Sequence, residues 1–307
     1  MDGVVTPDLG RLFSAIASPV DTEGSLPAGV TAQLVQAHVD RGVEGIYCCG
    51  SSGEGLLLRP DERMRLVEEV SMAVGDSVPV IAHVGTASTR DSIQLAQHAE
   101  RVGAVAVSMI PPIYYHYSTD EIMAHYRRVM DAVSIPMIVY NIPQFTGQEF
   151  GAEHPLLAED RVVGVKHTAH SMYQLERMSA KRPDLQLING FDETYLSATV
   201  AGASGAIGTT ISLQTDCFKA IRSLLGRGDV ARAQQFQARV NHVIEDLVAV
   251  GVFPAAKYVE SRLTGIDLGP CREPFAPVSP EGVKRLDALV EQMTDDAMAA
   301  RAVLAES

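Results

Sequence analysis

The sequence predicts an α/β fold: a TIM-type (β/α)8 barrel with a C-terminal helical extension. Three observations predict it. Eight short apolar runs are bounded by glycine and polar residues. Helical patterns alternate with them, and such alternation makes a parallel sheet with helices outside. Past the eighth run the pattern turns purely helical. Eight strand–helix units close into a barrel of about 250 residues, and the chain has 307. The barrel is expected over residues 1–226 and the extension over 227–307. They are expected to form one structural unit, because no Gly/Ser, Pro-rich or single-charge run separates them. An open doubly wound sheet is the alternative, but no G-x-G-x-x-G follows the first run.

In chain order, strands are expected at 12–17, 45–49, 78–84, 104–110, 136–140, 162–166, 185–188 and 205–209. Helices are expected at 28–41, 60–74, 89–102, 119–132, a short one at 154–158, then 172–181 and 195–201. The second is the best marked: Arg59-Pro60-Asp61-Glu62 places a proline and two acids in its first turn, where they suit the helix dipole. A helix at 214–225 closes the barrel. Those at 230–250, 253–263 and 280–306 form the extension.

Composition excludes several classes. A hydrophobic fraction of 46% supports a full core, and a net charge of −13 argues against a nucleic-acid partner. The first eight residues carry neither a positive region nor an apolar segment, so no signal peptide is visible. No apolar run approaches the roughly 20 residues that span a bilayer. Cys48, Cys49, Cys217 and Cys271 show no CxxC spacing and read as small buried hydrophobes. A cytoplasmic protein with no membrane partner is expected.

In such a barrel the chemistry lies where strands end and loops begin. The stretch 162–168, Val-Val-Gly-Val-Lys-His-Thr, reads as a strand buried on both faces with Lys166 near its end. Of the five lysines, Lys181 and Lys219 sit among polar residues, Lys284 in a charged helix and Lys257 in a mixed helical stretch. An amine in an apolar pocket loses solvation of its charged form, and the neutral amine attacks carbonyls to form Schiff bases. The plain alternative is a snorkelling or ion-paired lysine at a strand end.

The second strand ends Gly50-Ser51-Ser52-Gly53-Glu54 just before a helix, and loose backbone with exposed N–H groups there suits a carboxylate. A flexible capping loop is the simpler reading. Tyr140 ends the fifth strand, one strand from Lys166, either as a proton shuttle or as a core tyrosine. Tyr114, Tyr115 and Tyr117 make an aromatic patch after the fourth strand, suited to a substrate wall or a subunit contact. Asp192 and Glu193 follow the seventh strand and either bind substrate hydroxyls or cap the next helix. Capping is the simpler reading. The eighth strand is small and Gly-rich and lets a ligand approach the backbone. His167 and His170 are three apart with no evident third ligand, so no metal site is expected.

Taken together, Gly50-Ser51-Ser52-Gly53-Glu54, Tyr140-Asn141-Ile142-Pro143, Gly164-Val165-Lys166-His167-Thr168 and Gly190-Phe191-Asp192-Glu193 resemble, in this order, a known set. They resemble the pyruvate-dependent class I aldolases of the dihydrodipicolinate synthase and N-acetylneuraminate lyase superfamily. The resemblance runs from the first strand to about Val278. The stretches Ile81-Ala82-His83-Val84-Gly85, Tyr173-Gln174-Leu175-Glu176 and Cys271-Arg272-Glu273-Pro274-Phe275 look like the lyase branch.

The resemblance implies roles. Lys166 forms the Schiff base with the C2 carbonyl of a 2-oxo acid, and Tyr140 shuttles the proton. Ser51, Ser52 and Gly53 hold the pyruvate carboxylate. Thr168, Gly190, Asp192, Glu193, Ile207 and Thr209 bind the sugar chain beyond the cleavage point. Tyr114 reaches the site of a neighbouring subunit in a homotetramer. The implied substrate is a 2-oxo-3-deoxy sugar acid cleaved to pyruvate and an aldehyde, with no metal or organic cofactor. Three departures stand out. The family's Ser-Thr pair is Ser51-Ser52 here, and a serine usual after the eighth strand is Thr209. Where the synthases carry an arginine after Tyr-Asn-x-Pro, this chain has Gln144-Phe145, which argues against an aminoaldehyde carboxylate. The alternatives are another aldolase of the superfamily, the synthase included, and a non-catalytic binder of 2-oxo acids. A binder has no need of the Lys166, Tyr140 and Ser51/Ser52 set.

Overall fold

A computed structural model describes residues 6–306. Eight parallel strands close a barrel in sequence order, the eighth pairing with the first. They are β1 (Leu12–Ala15), β2 (Gly45–Cys48), β3 (Val80–His83), β4 (Ala106–Met109), β5 (Met137–Asn141), β6 (Val162–His167), β7 (Gln186–Asn189) and β8 (Gly205–Gly208). Most are shorter than the apolar runs predicted for them, because the run ends leave the sheet, some buried (Ile16, Cys49, Val84) and some half-buried (Ala17, Val78, Val105). Ile16, past β1, still donates its N–H to Tyr47 O at 3.1 Å. β5 and β6 instead run one residue further than expected, with Tyr140 opposite Lys166 and Asn141 opposite His167.

Side chains on a strand alternate faces. Phe13, Tyr47, Ile81, Ala106, Ile138, Ile188 and Ile207 fill the barrel interior as one cluster. The same parity carries Ile138 to Tyr140 and Ile81 to His83, so these side chains continue the inner column toward the C-terminal mouth. The even spacing from Gly164 adds Lys166 to that column. Residues of opposite parity, such as Val107, Val139 and Val165, pack outward against the helices.

The helices of the barrel are α1 (Val30–Asp40), α2 (Pro60–Val74), α3 (Thr89–Arg101), α4 (Thr119–Met130), α5 (Pro143–Thr146), α6 (Met172–Lys181), α7 (Tyr195–Val200) and α8 (Thr215–Gly226). The expected short helix at 154–158 is a single 3-10 turn, Pro155–Ala158, capped by His154, whose Nδ1 accepts from Leu156 N at 3.2 Å. The one-turn helix α5 has no apolar stripe, all its residues being outside the core, so no periodicity announces it.

The extension consists of α9 (Val230–Val250), α10 (Val252–Thr264) and α11 (Pro280–Leu304). Phe236 and Val240 of α9 pack with Phe218, Ile221 and Leu224 of α8 and with Ala300 and Val303 of α11. α10 is tied to the barrel by buried charges. Glu260 lies 3.0 Å from His38 Nε2 of α1 and accepts from Ser212 Oγ at 2.7 Å. The four cysteines are free and buried, as small hydrophobes would be. Among the described residues, no helix is long and apolar enough to cross a membrane.

Phe13 is fully buried inside the barrel. Phe13→Ala empties that space and is expected to cost about 3–5 kcal/mol. Urea unfolding checks it: a midpoint unchanged from the parent would mean that the interior column contributes little to the barrel.

Candidate active site

The inner column ends in a lysine with an unusual environment. Lys166 is 4% exposed. Its Nζ lies 4.0 Å from the centroid of the Tyr140 ring and 4.4 Å from that of Tyr47. Among the described residues, no carboxylate or carbonyl lies within hydrogen-bond distance of this amine. The aromatic faces attract a cation without fixing it by a directed bond. Tyr140 stands edge to face with both Tyr47 and His83, and those two are tilted against each other, all with centroids 6.0–6.4 Å apart. Burial pushes the Tyr47 phenol well above its ordinary value. Burial, together with the Arg63 and Lys166 charges, pushes His83 well down, so His83 is neutral. Tyr140 is buried and pairs with Lys166 across β5 and β6, which gives the two the proximity expected of a shuttle and its amine.

A second lysine is equally buried. Lys257, placed by its sequence in a mixed helical stretch, is 2% exposed on α10. Its surroundings are the opposite of those of Lys166. Its Nζ lies 3.0 Å from Glu54 Oε1 and donates to Pro270 O at 2.7 Å. A buried charge that is paired and hydrogen-bonded is a structural one. At Lys166 the same burial comes with ring faces in place of a charged partner.

The residues after β2 form a run of turns, and α2 begins only at Pro60. The expectation that the serines sit just before a helix is therefore corrected: the donors belong to a tight turn. Two non-glycine residues, Cys49 (φ 61) and Glu54 (φ 54), bend the chain there. Glu54 N donates to Ser51 O and Gly55 N to Gly50 O, each at 3.0 Å. Among the described residues nothing accepts from the N–H groups of Ser51, Ser52 or Gly53. Successive free N–H groups in such a turn make an anion cradle. Ser52 Oγ and Thr209 Oγ1 share a hydrogen bond of 2.7 Å, and Ser18 Oγ donates to Gly53 O at 2.6 Å. Gly53 is thus held beneath the turn.

The far side of the site is built from the ends of β6, β7 and β8. Thr168 N donates to Asn141 O at 2.8 Å, and its buried hydroxyl has no partner. A Cβ at Gly190 would lie 1.8 Å from that hydroxyl, so only glycine fits there. The expected helix cap at Asp192 is absent. The 3-10 turn Asp192–Thr194 and α7 both begin without a side-chain cap. Asp192 turns instead to the loop just past β8, where Oδ2 accepts from Thr210 N at 2.7 Å and Thr210 Oγ1 at 2.8 Å. Its other oxygen is buried and unpartnered. A Cβ at Gly208 would lie 1.6 Å from that oxygen, which is why the eighth strand is small here. Burial raises the carboxyl to about 6 against the opposing pull of the two Thr210 donors.

These groups line a chamber of about 260 Å³ together with Ser51, Ser52, Tyr140, Lys166, Glu193, Ile207 and Thr209. Sequence position alone missed Ile142, Phe145, Phe191 and, from the extension, Val248, Val252 and Phe253 on its walls. Phe253 opens α10 and belongs to no strand end. A second, apolar cavity of about 310 Å³ lies beside the chamber and shares Ser51, Tyr140, Ile142, Phe145 and Phe253 with it. Tyr114 lines neither. It is 90% exposed, with φ 83, against Tyr115 at 5.0 Å. His167 and His170 part company: His167 Nδ1 lies 3.1 Å from Asn141 Nδ2, and His170 stacks on Phe191.

Asp192 offers a direct check on this electrostatic account. Its carboxyl, followed by carbon NMR, is expected to titrate near 6. Thr210→Val removes a donor that favours the charged form, so the midpoint is expected to rise further. A midpoint at the ordinary carboxylate value, or a fall in the variant, would contradict the burial described.

Comparison with known proteins agrees with this geometry. The model of the dihydrodipicolinate synthetase family matches residues 8–293. The N-acetylneuraminate lyase of Rhizobium meliloti is 40% identical over 271 residues, covering 88% of this chain and 90% of that protein. That of Citrobacter koseri is 37% identical over 292 residues, covering 94% and 98%. Among solved structures, CdNal of Clostridium difficile in complex with mannosamine superposes with a TM-score of 0.90 at 29% identity, covering 94% of this chain and all of that one. The eight-stranded barrel, the buried lysine at the end of its sixth strand and the matched motifs have one common meaning: the chain belongs to the dihydrodipicolinate synthetase family.

Proposed function

We propose that this protein is a class I aldolase that cleaves a 2-oxo-3-deoxy sugar acid of the N-acetylneuraminate type into pyruvate and an aldehyde sugar. The observation that carries this reading is the Lys166 amine, buried, without an acid partner, under the Tyr140 ring and in one chamber with the Ser51–Ser52 turn. Its N-acetylneuraminate lyase relatives support the substrate class.

The neutral amine of Lys166 attacks the C2 carbonyl, and loss of water leaves a protonated imine. The free N–H groups of Ser51, Ser52 and Gly53, with the two serine hydroxyls, hold the C1 carboxylate. Tyr140 relays the proton of the C4 hydroxyl as the C3–C4 bond breaks, passing its own phenol proton to the neighbouring C1 carboxylate. The electron pair of that bond passes into the imine and leaves a neutral enamine, while C4 departs as the aldehyde. Return of a proton to C3 and addition of water at C2 release pyruvate and restore the amine. Positioned proton transfer of this kind contributes about 10²–10⁴ in rate. The imine itself is the electron sink, so the scheme calls on no metal or organic cofactor.

Beyond C4, Thr168, Gly190, Asp192, Glu193, Ile207 and Thr209 bind the distal half. The unpartnered oxygens of Thr168 and Asp192 are free to meet hydroxyls. No arginine lines the chamber, and Lys166 is its one cation among the lining residues. A distal half bearing a carboxylate would find no partner there, which favours a sugar over the synthase's aminoaldehyde. The apolar cavity beside Ser51 and Tyr140 accommodates Tyr114 of a second copy, in a homotetramer. We place the enzyme in the cytoplasm, in keeping with four free thiols.

The test is borohydride reduction with N-acetylneuraminate and no added pyruvate, followed by peptide mass spectrometry. A pyruvyl-sized adduct on Lys166 is expected, and Lys166→Ala is expected to lose both adduct and turnover. Labelling only with added pyruvate would keep the Schiff base and discard the sugar acid. Turnover surviving in Lys166→Ala would discard the mechanism.

A further inference from the structure

The C-terminal extension touches the active site at two places, through residues the chemistry does not use. The first is the carboxylate turn. Glu54, buried and bent into the left-handed region, ends that turn. Its two oxygens are both taken by the last quarter of the chain. Lys257 Nζ lies 3.0 Å from Oε1, and Arg272 N donates to Oε2 at 2.6 Å. Lys257 is in turn fixed by Pro270 O, and the Arg272 guanidinium grips Glu62 of α2 through two bonds, at 2.7 and 2.9 Å. A turn that holds φ of 54° at a non-glycine residue is strained and keeps its shape only where its surroundings enforce it. Here the enforcing groups come from α10 and the segment after it.

The second place is the turn carrying Asp192 and Glu193. That turn has no side-chain cap of its own. Gln237 of α9, buried beneath it, does the capping from outside. Its Nε2 donates to Asp192 O at 3.1 Å and to Asn241 Oδ1 at 2.8 Å, while its Oε1 accepts from Leu196 N at 2.8 Å. One amide therefore holds the carbonyl that opens the turn and an N–H in the helix after it. The two devices share no residue and lie on different helices.

We propose that the extension positions the two halves of the substrate site independently: Lys257 with Glu54 sets the turn for the pyruvate carboxylate, and Gln237 sets the turn for the distal aldehyde half. All three are positioning residues, acting through the backbone they hold. The proposal rests on the aldolase reading above.

Condensation of pyruvate with N-acetylmannosamine separates the two halves, because each has its own KM. Gln237→Met keeps the side-chain length and loses both polar ends. It is expected to raise the aldehyde KM about tenfold, the factor for one lost hydrogen bond of ordinary strength, with the pyruvate KM unchanged. Glu54→Gln combined with Lys257→Met removes both buried charges together, so that neither is left unpaired. It is expected to raise the pyruvate KM about tenfold and leave that of the aldehyde. Gln237→Glu, which keeps the acceptor for Leu196 but not the donor for Asp192, serves if Gln237→Met does not fold, and is expected to raise the aldehyde KM alone. A merely structural role would move both constants together in each variant, and that result, or no movement in either constant, overturns the proposal. Should N-acetylmannosamine not react with the parent enzyme, the substrate reading falls by itself. The clamps are then read from the pyruvate concentration that half-saturates borohydride trapping on Lys166. It must rise in Glu54→Gln/Lys257→Met and not in Gln237→Met, and any other pattern overturns them.

Discussion

A buried amine denied an acid partner is the constraint around which the rest of this structure is arranged. Lys166 and Lys257 are buried alike, yet one meets two aromatic faces and the other a carboxylate and a carbonyl. Burial of an ammonium group carries a large desolvation cost unless charges or dipoles offset it. At Lys257 they do, and the result is a fixed ion pair. At Lys166 the offset is the diffuse attraction of ring faces, with no directed bond to hold the nitrogen. The barrel supplies this environment through strand parity: the column that packs the interior with Phe13, Ile138 and Ile188 delivers Tyr140, His83 and Lys166 to the mouth.

The mouth is not completed by the barrel. Ser51 and Ser52 sit on a turn whose last residue is held by α10, and Asp192 on a turn held by α9. Val248, Val252 and Phe253 add a wall from the same helices. The extension also buries Glu260 against His38 and Ser212. Breaking the Lys257–Glu54 or His38–Glu260 pair leaves a buried carboxylate short of a partner, so barrel and extension are coupled by more than apolar contact.

How much of this is legible in the sequence follows from the range of the interactions. The eight strands and the buried Lys166 are announced locally, by β-branched runs and by a lone cation at the end of one of them. The roles of Asp192 and Lys257 are not. Asp192 precedes a helix and has the composition of a cap, but its partner Thr210 lies just past the end of the next strand. Lys257 sits in an ordinary amphipathic stretch, and its partner is 203 residues away in sequence. No periodicity encodes such a pair. The walls formed by Phe145 and Phe253 are hidden for a related reason: one lies on a helix of a single turn and the other opens a helix of the extension, and neither belongs to a strand end.

That separation of 203 residues, and of 218 between Glu54 and Arg272, has a consequence for how the enzyme comes into being. A ribosome delivers the chain from its N-terminus. When residue 226 has been added, every strand, Lys166 and Tyr140 exist, but both side-chain oxygens of Glu54 still lack the partners that hold them. That turn therefore receives its last constraints only as the final quarter of the polypeptide folds back onto the barrel.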